Sequence, residues 1–220
     1  MDRNELWQGM DDCAATLPVL LNEAFPLKVD PYCDPNSESD PHSPHVPRYM
    51  AGGMNYEHAP MITLELGLLL YSFVRHNKPI HIVETGTCHG NSSAWMAAGL
   101  KDNHIPAKLT TFDILVENPN PQDLWRRVGV DHLIEFVNGT IWDNVAKVPN
   151  QIDFAFIDSQ HNVETILKEM AIVWPRLSTY GVVAFDDYTL YPECRETMHQ
   201  YFPNLIFPLG RGLVIGQKRS

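Results

Sequence analysis

The sequence has no apolar run long enough to cross a membrane. Its longest, Leu66 to Val74, is far shorter than the roughly 20 residues that a spanning helix needs. Basic residues are also few, with 16 against 27 acidic residues and a net charge of −11, which argues against a nucleic-acid backbone as the main partner. The polar N-terminus shows no secretory leader. We therefore expect a cytoplasmic protein that binds neither membranes nor nucleic acids.

Cysteines are few and form no Cys-x-x-Cys pair. We expect free thiols in a reducing compartment. Disulfides stay open as the alternative, because the number of cysteines is even. The four are Cys13, Cys33, Cys88 and Cys194.

The chain divides at about residue 60. Residues Asn4 to Ala24 predict a helix, which is also a candidate surface for a homo-oligomer. Residues 26–60 contain seven of the 17 prolines, so they predict no regular element. A segment of this length is either a connector or a lid over a site. We therefore expect an extension over residues 1–60 and one domain over residues 61–220.

From residue 61 onward, the pattern predicts helices alternating with strands. Predicted strands cover 80–84, 109–113, 132–137, 152–158 and 181–185, and a late hairpin covers 205–207 and 213–215. Predicted helices cover 61–75, 91–101, 121–128, 163–177 and 193–200, with Tyr180-Gly181 ending the fourth. This alternation predicts an α/β fold. We expect a Rossmann-like, doubly wound, mostly parallel seven-stranded sheet with a late antiparallel hairpin.

The segment VETGTCHGNSS, residues 83–93, follows the first predicted strand. It lacks the Gly-x-Gly of a dinucleotide fingerprint, because three residues separate Gly86 from Gly90. This wider loop suits a ligand without a pyrophosphate, and Glu84 at the end of the strand suits a cation. Ligands of open parallel sheets bind at this edge. S-adenosylmethionine, which has an ammonium and a sulfonium but no phosphate, fits that description.

The same segment resembles motif I of the class I methyltransferases, Glu/Asp-x-Gly-x-x-x-Gly. The resemblance implies that Glu84 faces the ammonium of S-adenosylmethionine and that the backbone from Gly86 through Thr87 to Gly90 passes the sugar and methionine. Ser92 or Ser93, at a helix N-terminus, would hold the carboxylate.

Two further strand ends extend the expected cofactor site. Asp113 ends the second predicted strand, 29 residues after Glu84, where an acid accepts ribose hydroxyls. Gly139 and Thr140 follow the third, where the methyltransferase family binds adenine. The alternatives are an ordinary glycine turn and an aspartate that caps the next helix.

A second group of acids follows the fourth and fifth predicted strands, in FIDSQH and FDDY. Adjacent parallel strands bring Asp158, Asp186 and Asp187 to one rim, where three carboxylates repel each other unless a cation neutralises them. A divalent ion with oxygen ligands, Mg²⁺ by default, resolves this. Asp186 and Asp187 can share it only if the strand has already ended. Helix capping or pairing with Arg195 is the alternative.

Residues 156–202 are similar to the metal-dependent small-molecule O-methyltransferases of the macrocin O-methyltransferase type. Those read approximately IDGDLYEST…LYPKLSPGGYVIVDDY…PGCREAV. The resemblance implies that Asp158, Asp186 and Asp187 bind the cation. One departure is Gln160, where the family has a second acid. His161 is the next residue able to accept a proton; its alternative is an exposed position in the first turn of a helix.

These patterns together predict an S-adenosylmethionine-dependent methyltransferase with Asp158 and His161 as catalytic residues. We expect Mg²⁺, or another divalent cation, to assist methylation of a hydroxyl on a small-molecule acceptor, with Asp158 also near the cofactor. The alternatives are a non-catalytic or metal-independent S-adenosylmethionine-binding protein. A nicotinamide-dependent oxidoreductase is disfavoured by the missing Gly-x-Gly.

Overall fold

A computed structural model describes residues 62, 64–114, 120–188, 191–201, 205–207 and 212–219. The predicted N-terminal helix and the proline-rich segment, residues 4–24 and 26–60, lie outside them. Cys88 and Cys194 are not in disulfides in the part of the chain that the structure describes, as predicted, whereas Cys13 and Cys33 lie outside the described residues. Within the described ranges, no helix combines the length and the hydropathy that a membrane crossing requires.

Seven strands form one sheet in the order β3-β2-β1-β4-β5-β7-β6. The strands are β1 His81–Thr85, β2 Lys108–Asp113, β3 Ile134–Asn138, β4 Ile152–Ile157, β5 Leu177–Phe185, β6 Leu205–Phe207 and β7 Leu213–Gln217. Strands β1 to β5 are parallel, and β7 is antiparallel to both β5 and β6. The chain runs outward from β1 to β3 and then returns to β4 beside β1. This reversal is the place where open α/β sheets bind ligands, and it confirms the predicted fold class.

Five helices cover the two faces of the sheet. They are α1 Leu64–Asn77, α2 Asn91–Asn103, α3 Pro121–Val128, α4 Val163–Arg176 and α5 Pro192–His199. The first three pack on one face around Trp95 and Trp125. The last two pack on the other face, where Met170 and Phe185 are buried. The apolar strands predicted a sheet covered on both sides, and the two cores confirm this.

Local signals fix where the helices begin and end. The Asn120 side chain accepts a hydrogen bond from the Gln122 N–H at the start of α3, and Gly129 ends that helix in the left-handed conformation. The Asn162 side chain likewise accepts from the Thr165 N–H at the start of α4. Both are N-cap interactions that satisfy otherwise unpaired helix N–H groups. The cap at Asn162 therefore marks the start of α4, five residues after β4 ends at Ile157.

The predicted boundary between α4 and β5 is wrong. The helix ends at Arg176, not Leu177, because Leu177 already pairs with Ile152 of β4. The ladder is then interrupted and resumes where Val182 pairs with Phe154. Gly181 therefore marks the place where the regular ladder resumes, not the beginning of the strand. An irregularity of this kind has no signature in hydrophobic periodicity.

Candidate active site

A cavity of about 360 Å³ opens at the carboxyl ends of β1 to β4. Its lining residues come from the last residues of β1 and β2, from the loops after these four strands and from α4. They are Thr85, Gly86, Cys88, Phe112, Asp113, Ile114, Gly139, Thr140, Ile141, Trp142, Asp158, Ser159, Gln160, Thr165 and Glu169. Five of the predicted cofactor residues, namely Gly86, Asp113, Gly139, Thr140 and Asp158, are among them. The structure thus gathers the ends of four strands around one space.

Gly86 brings the loop after β1 against the loop after β4. Its N–H donates to the Phe112 carbonyl at 2.9 Å, and the Asp158 N–H donates to the Thr85 carbonyl at 2.9 Å. Gly86 has φ +88°, and a Cβ there would lie 1.9 Å from the Asp158 carbonyl oxygen. No larger residue fits this approach without moving the backbone. Gly86 therefore shapes the cavity between β1 and β4.

Asp113 connects the loops after β1, β2 and β3. Its Oδ2 accepts a hydrogen bond from the Cys88 N–H at 2.7 Å, and its carbonyl accepts one from the Gly139 N–H at 2.7 Å. Because Asp113 also lines the cavity, its carboxylate is held at the wall by the loop that follows β1. Asp113 thus lines the cavity at the end of β2, and its contact with ribose hydroxyls stays a prediction.

Glu84 lies behind the loop and is not among the residues that line this cavity. It is fully buried, with hydrogen bonds from Ser92 Oγ at 2.5 Å and from Ser93 Oγ. Burial raises the pKa of Glu84 to about 7, although the hydroxyls of Ser92, Ser93 and Thr111 lower it in part. These groups form a buried polar cluster between β1 and α2. Ser92 and Ser93 were predicted to hold a ligand carboxylate, but their hydroxyls donate hydrogen bonds to Glu84 instead.

Two other predicted residues also lie outside the cavity lining. Thr87 shares a hydrogen bond of 2.6 Å with Thr111. Gly90 has φ +77°, and its carbonyl accepts from Trp125 Nε1 at 2.9 Å. Ligand contacts for Glu84, Thr87, Gly90, Ser92 and Ser93 stay predictions.

A second cluster lies at the ends of β4 and β5. Asp158, His161 and Asp187 each offer a ligand atom, and these three atoms lie within 4.8 Å of one another. The distance from His161 Nε2 to Asp187 Oδ2 is 2.8 Å, and the His161 ring stacks on Tyr191 with 4.5 Å between centroids. His161 precedes the N-cap of α4 and exposes a quarter of its side chain. The imidazole is therefore fixed by contacts on two sides.

The metal ligands predicted from the sequence were three aspartates, and this group replaces Asp186 with His161. Strand β5 ends at Phe185, so Asp187 has left the strand, and its φ of 59° turns the chain. Asp186 is buried and its N–H donates to the Ile157 carbonyl, but it is not one of the three. A role of Asp186 as a ligand stays a prediction.

Of the three carboxylates that line the cavity, Glu169 is the one that we did not predict. It lies on α4, is only 2% exposed, and accepts a hydrogen bond from Ser159 Oγ at 2.6 Å. Burial raises its pKa to about 7, while the Ser159 and Thr85 hydroxyls and the charge of His161 lower it in part. The sequence signal that could have indicated Glu169 is its spacing, three residues after Ile166 and four before Val173. This spacing puts an acid on the buried stripe of the helix.

Solved structures show which class of protein has this fold. A methyltransferase from Geobacter sulfurreducens is 23% identical, with 83% of this chain and 90% of that chain covered and a TM-score of 0.62. The O-methyltransferase TomG from Streptomyces achromogenes, solved with S-adenosylmethionine, is 15% identical, with coverage of 96% and 91% and a TM-score of 0.63. An O-methyltransferase from Bacillus cereus, solved with S-adenosylhomocysteine, is 16% identical, with coverage of 73% and 84% and a TM-score of 0.60.

A family match agrees with the fold. Residues 83–188 match a family described as a methyltransferase domain, and this segment contains the loop after β1, Asp113 and the Asp158–His161–Asp187 cluster. No curated protein matches the chain. Residues 83–188 are therefore similar to a methyltransferase domain, and the chain shares its fold with the three solved methyltransferases.

Proposed function

We propose that the protein transfers a methyl group from S-adenosylmethionine to a hydroxyl oxygen of a small molecule. One observation carries the proposal: a cavity with a carboxylate at the end of β2 adjoins a cluster of titratable side chains at the ends of β4 and β5. The resemblance of residues 156–202 to O-methyltransferases of the macrocin type supports oxygen as the acceptor atom.

The residues around the cavity fit S-adenosylmethionine. Asp113 is placed to accept hydrogen bonds from ribose hydroxyls, and Gly86 lets the backbone approach a ligand between β1 and β4. Among the described residues that line the cavity, none is a lysine, an arginine or a histidine, as expected for a ligand without phosphate. The N-terminal backbone of α2, with Ser92 and Ser93 already bonded to Glu84, offers N–H groups to the methionine carboxylate.

His161 and Asp187 supply the proton acceptor. When His161 Nε2 donates to Asp187, Nδ1 is the nitrogen that can accept the proton of the acceptor hydroxyl. The acceptor oxygen attacks the methyl carbon, the carbon–sulfur bond breaks, and its electron pair stays on sulfur as a neutral thioether. Asp187 then stabilises the imidazolium. The donor supplies an already activated methyl group, so the chain must align the oxygen and remove its proton.

The same three side chains also fit a divalent cation. Two carboxylates and one imidazole would hold it, and a bound cation lowers the pKa of an acceptor hydroxyl. Mg²⁺ prefers oxygen ligands alone, whereas an imidazole nitrogen in the set favours ions such as Mn²⁺ or Fe²⁺. With a cation bound, His161 is a ligand and no longer the base. Loss of transfer in EDTA, restored by Mn²⁺, identifies the metal-assisted form; transfer that is insensitive to EDTA identifies the metal-independent form.

Binding is the first test of the proposal. We expect calorimetry to show that S-adenosylmethionine and S-adenosylhomocysteine bind the wild-type protein. Asp113→Asn should weaken both by about tenfold or more, because it removes a charged hydrogen-bond acceptor. The matched control Asp131→Asn changes an exposed aspartate away from the cavity and should leave both affinities unchanged. Failure of the wild-type protein to bind either compound would contradict the proposal.

Transfer of a labelled methyl group to catechol and sugar acceptors is the second test. Loss of the group that orients the base typically costs about a hundredfold or more in rate, so we expect a drop of that size in Asp187→Asn with cofactor affinity retained. Asp123→Asn, at an exposed aspartate of α3, is the control and should keep full activity. Full activity in Asp187→Asn would rule out the assignment of the His161–Asp187 pair.

A further inference from the structure

The cavity is lined by three carboxylates, and the proposed reaction uses only two of them. Asp113 is assigned to the ribose and Asp158 to the acceptor end, whereas Glu169 has no role in either. The described lining residues include no basic side chain to balance them. A cavity with this charge favours a cationic ligand over a neutral one of the same shape.

The order of the strands places Glu169 along the length of the cavity. The sheet runs β3-β2-β1-β4-β5, with Asp113 at the end of β2 and the Asp158–His161–Asp187 cluster at the ends of β4 and β5. Glu169 contacts Ser159, just after β4, and lies beside Thr85, the last residue of β1. It therefore lies between the ribose end and the acceptor end. On the proposed function, the sulfur of the cofactor must lie there, because it joins the ribose to the transferred methyl group.

The carboxyl of Glu169 is only partly satisfied by the protein. Ser159 donates to Oε1, whereas Oε2 is buried and has no well-formed hydrogen bond. Burial raises the pKa of the Glu169 carboxyl and so favours its neutral form, and the Ser159 and Thr85 hydroxyls offset this only in part. Burying a carboxylate that has only one oxygen in a well-formed hydrogen bond costs free energy, unless a positive charge lies beside it. S-adenosylmethionine carries that charge on sulfur, and S-adenosylhomocysteine does not.

We propose that Glu169 is a specificity-determining residue that favours the positively charged methyl donor over its neutral thioether product. The inference rests on the proposed function and deepens it. Once the methyl group has left, the sulfur is neutral and the attraction to Glu169 is lost. The product then binds less tightly relative to the donor, which assists exchange of product for donor.

The test compares two ligands on three proteins by calorimetry. In the wild-type protein we expect the donor to bind more tightly than S-adenosylhomocysteine. In Glu169→Gln, which keeps the shape and removes the charge, donor affinity should fall by about fivefold or more and product affinity by less than about twofold, as expected for a partly screened charge pair. Glu164→Gln is the matched control, because Glu164 lies on the same helix, is exposed and pairs with Lys168. It should leave both affinities unchanged.

Each outcome decides a different point. If the wild-type protein binds neither ligand, the proposed function fails. If both bind and Glu169→Gln weakens them equally or not at all, only the role of Glu169 fails. Should that variant not fold, an analogue with an amine in place of the sulfonium tests the wild-type protein directly. Tighter binding of this analogue than of S-adenosylhomocysteine supports the inference, and equal binding overturns it.

Discussion

Two buried glutamates, Glu84 on β1 and Glu169 on α4, share one property and differ in another. Burial raises the pKa of each to about 7. Glu84 faces α2 and accepts hydrogen bonds from two serine hydroxyls, whereas Glu169 accepts one, from Ser159, and lines the cavity. The same raised pKa therefore accompanies two different surroundings, and it does not by itself show which carboxyl group faces a ligand. The number of hydrogen bonds that the protein supplies, and the access to a cavity, separate the two.

The largest expected effect is on folding, at Glu84. Glu84→Ala leaves the hydroxyls of Ser92 and Ser93 buried without their acceptor and opens a cavity against α2. We expect the free energy of unfolding to fall by about 4 kcal/mol, measured by urea denaturation. The control Glu135→Ala removes a half-exposed glutamate paired with Lys147 and should cost less than about 1 kcal/mol. A similar loss in both variants would contradict the assignment of Glu84 and its serine hydroxyls as a buried cluster that stabilises the fold.

The second effect is a dependence of stability on pH. Each of the two glutamates binds a proton more tightly in the folded protein than the ordinary value of 4.5 allows. Its stabilising contribution is therefore complete below about pH 4.5 and is lost as the pH rises to about 7, by about 3 kcal/mol at most for each group. We expect urea titrations across this range to show the decline. Glu84→Gln should remove about half of it, and an unchanged slope in that variant would contradict the assignment.

The third effect separates the two glutamates by function. Glu84→Gln, where it folds, should bind S-adenosylmethionine within about twofold of the wild-type affinity, because Glu84 is screened from the cavity by its own loop. The corresponding substitution at Glu169 should lower that affinity by the larger factor given above. Calorimetry on both variants gives the ratio directly. If Glu84→Gln weakens binding as much as Glu169→Gln does, Glu84 faces the ligand after all, as motif I implied.

The smallest expected effect follows from removing single hydroxyl groups that donate hydrogen bonds to the two glutamates. Ser93→Ala removes one hydroxyl donor to the fully buried Glu84, and Ser159→Ala removes the donor to Glu169 Oε1. We expect each to cost about 1 kcal/mol of stability, with only Ser159→Ala also altering the preference for donor over product. Thermal unfolding with and without ligand measures both quantities. An altered preference in Ser93→Ala as well would mean that the two clusters are coupled.

Much of the fold could be predicted from the sequence, because strands buried on both faces give continuous apolar runs. The predicted strand 152–158 matches β4 almost to the residue, and the predicted helix 121–128 matches α3. The start of β5 could not be predicted, since the interrupted ladder after Leu177 depends on the pairing with Ile152 across the sheet. No local pattern records such a pairing.

The candidate site shows the same division. The positions of Asp113 and Gly86 at this rim could be predicted, because Asp113 ends β2 and Gly86 directly follows β1. Their contacts with a ligand stay predictions. The directions of side chains beyond a strand end were not: they place His161, not Asp186, beside Asp158 and Asp187. Glu169 was not predicted as a cavity residue, because an acid on the buried stripe of a helix has no sequence signature that distinguishes a cavity wall from the core.

The most direct test of the account is a crystal structure of the protein with S-adenosylmethionine or S-adenosylhomocysteine. We expect the ribose hydroxyls on Asp113, the adenine against the loop at Gly139 and Thr140, and the sulfur within about 5 Å of the Glu169 carboxylate, the range of a close charge interaction. Either ligand bound outside the cavity at the ends of β1 to β4, or no ligand bound at saturating concentration, would contradict the account.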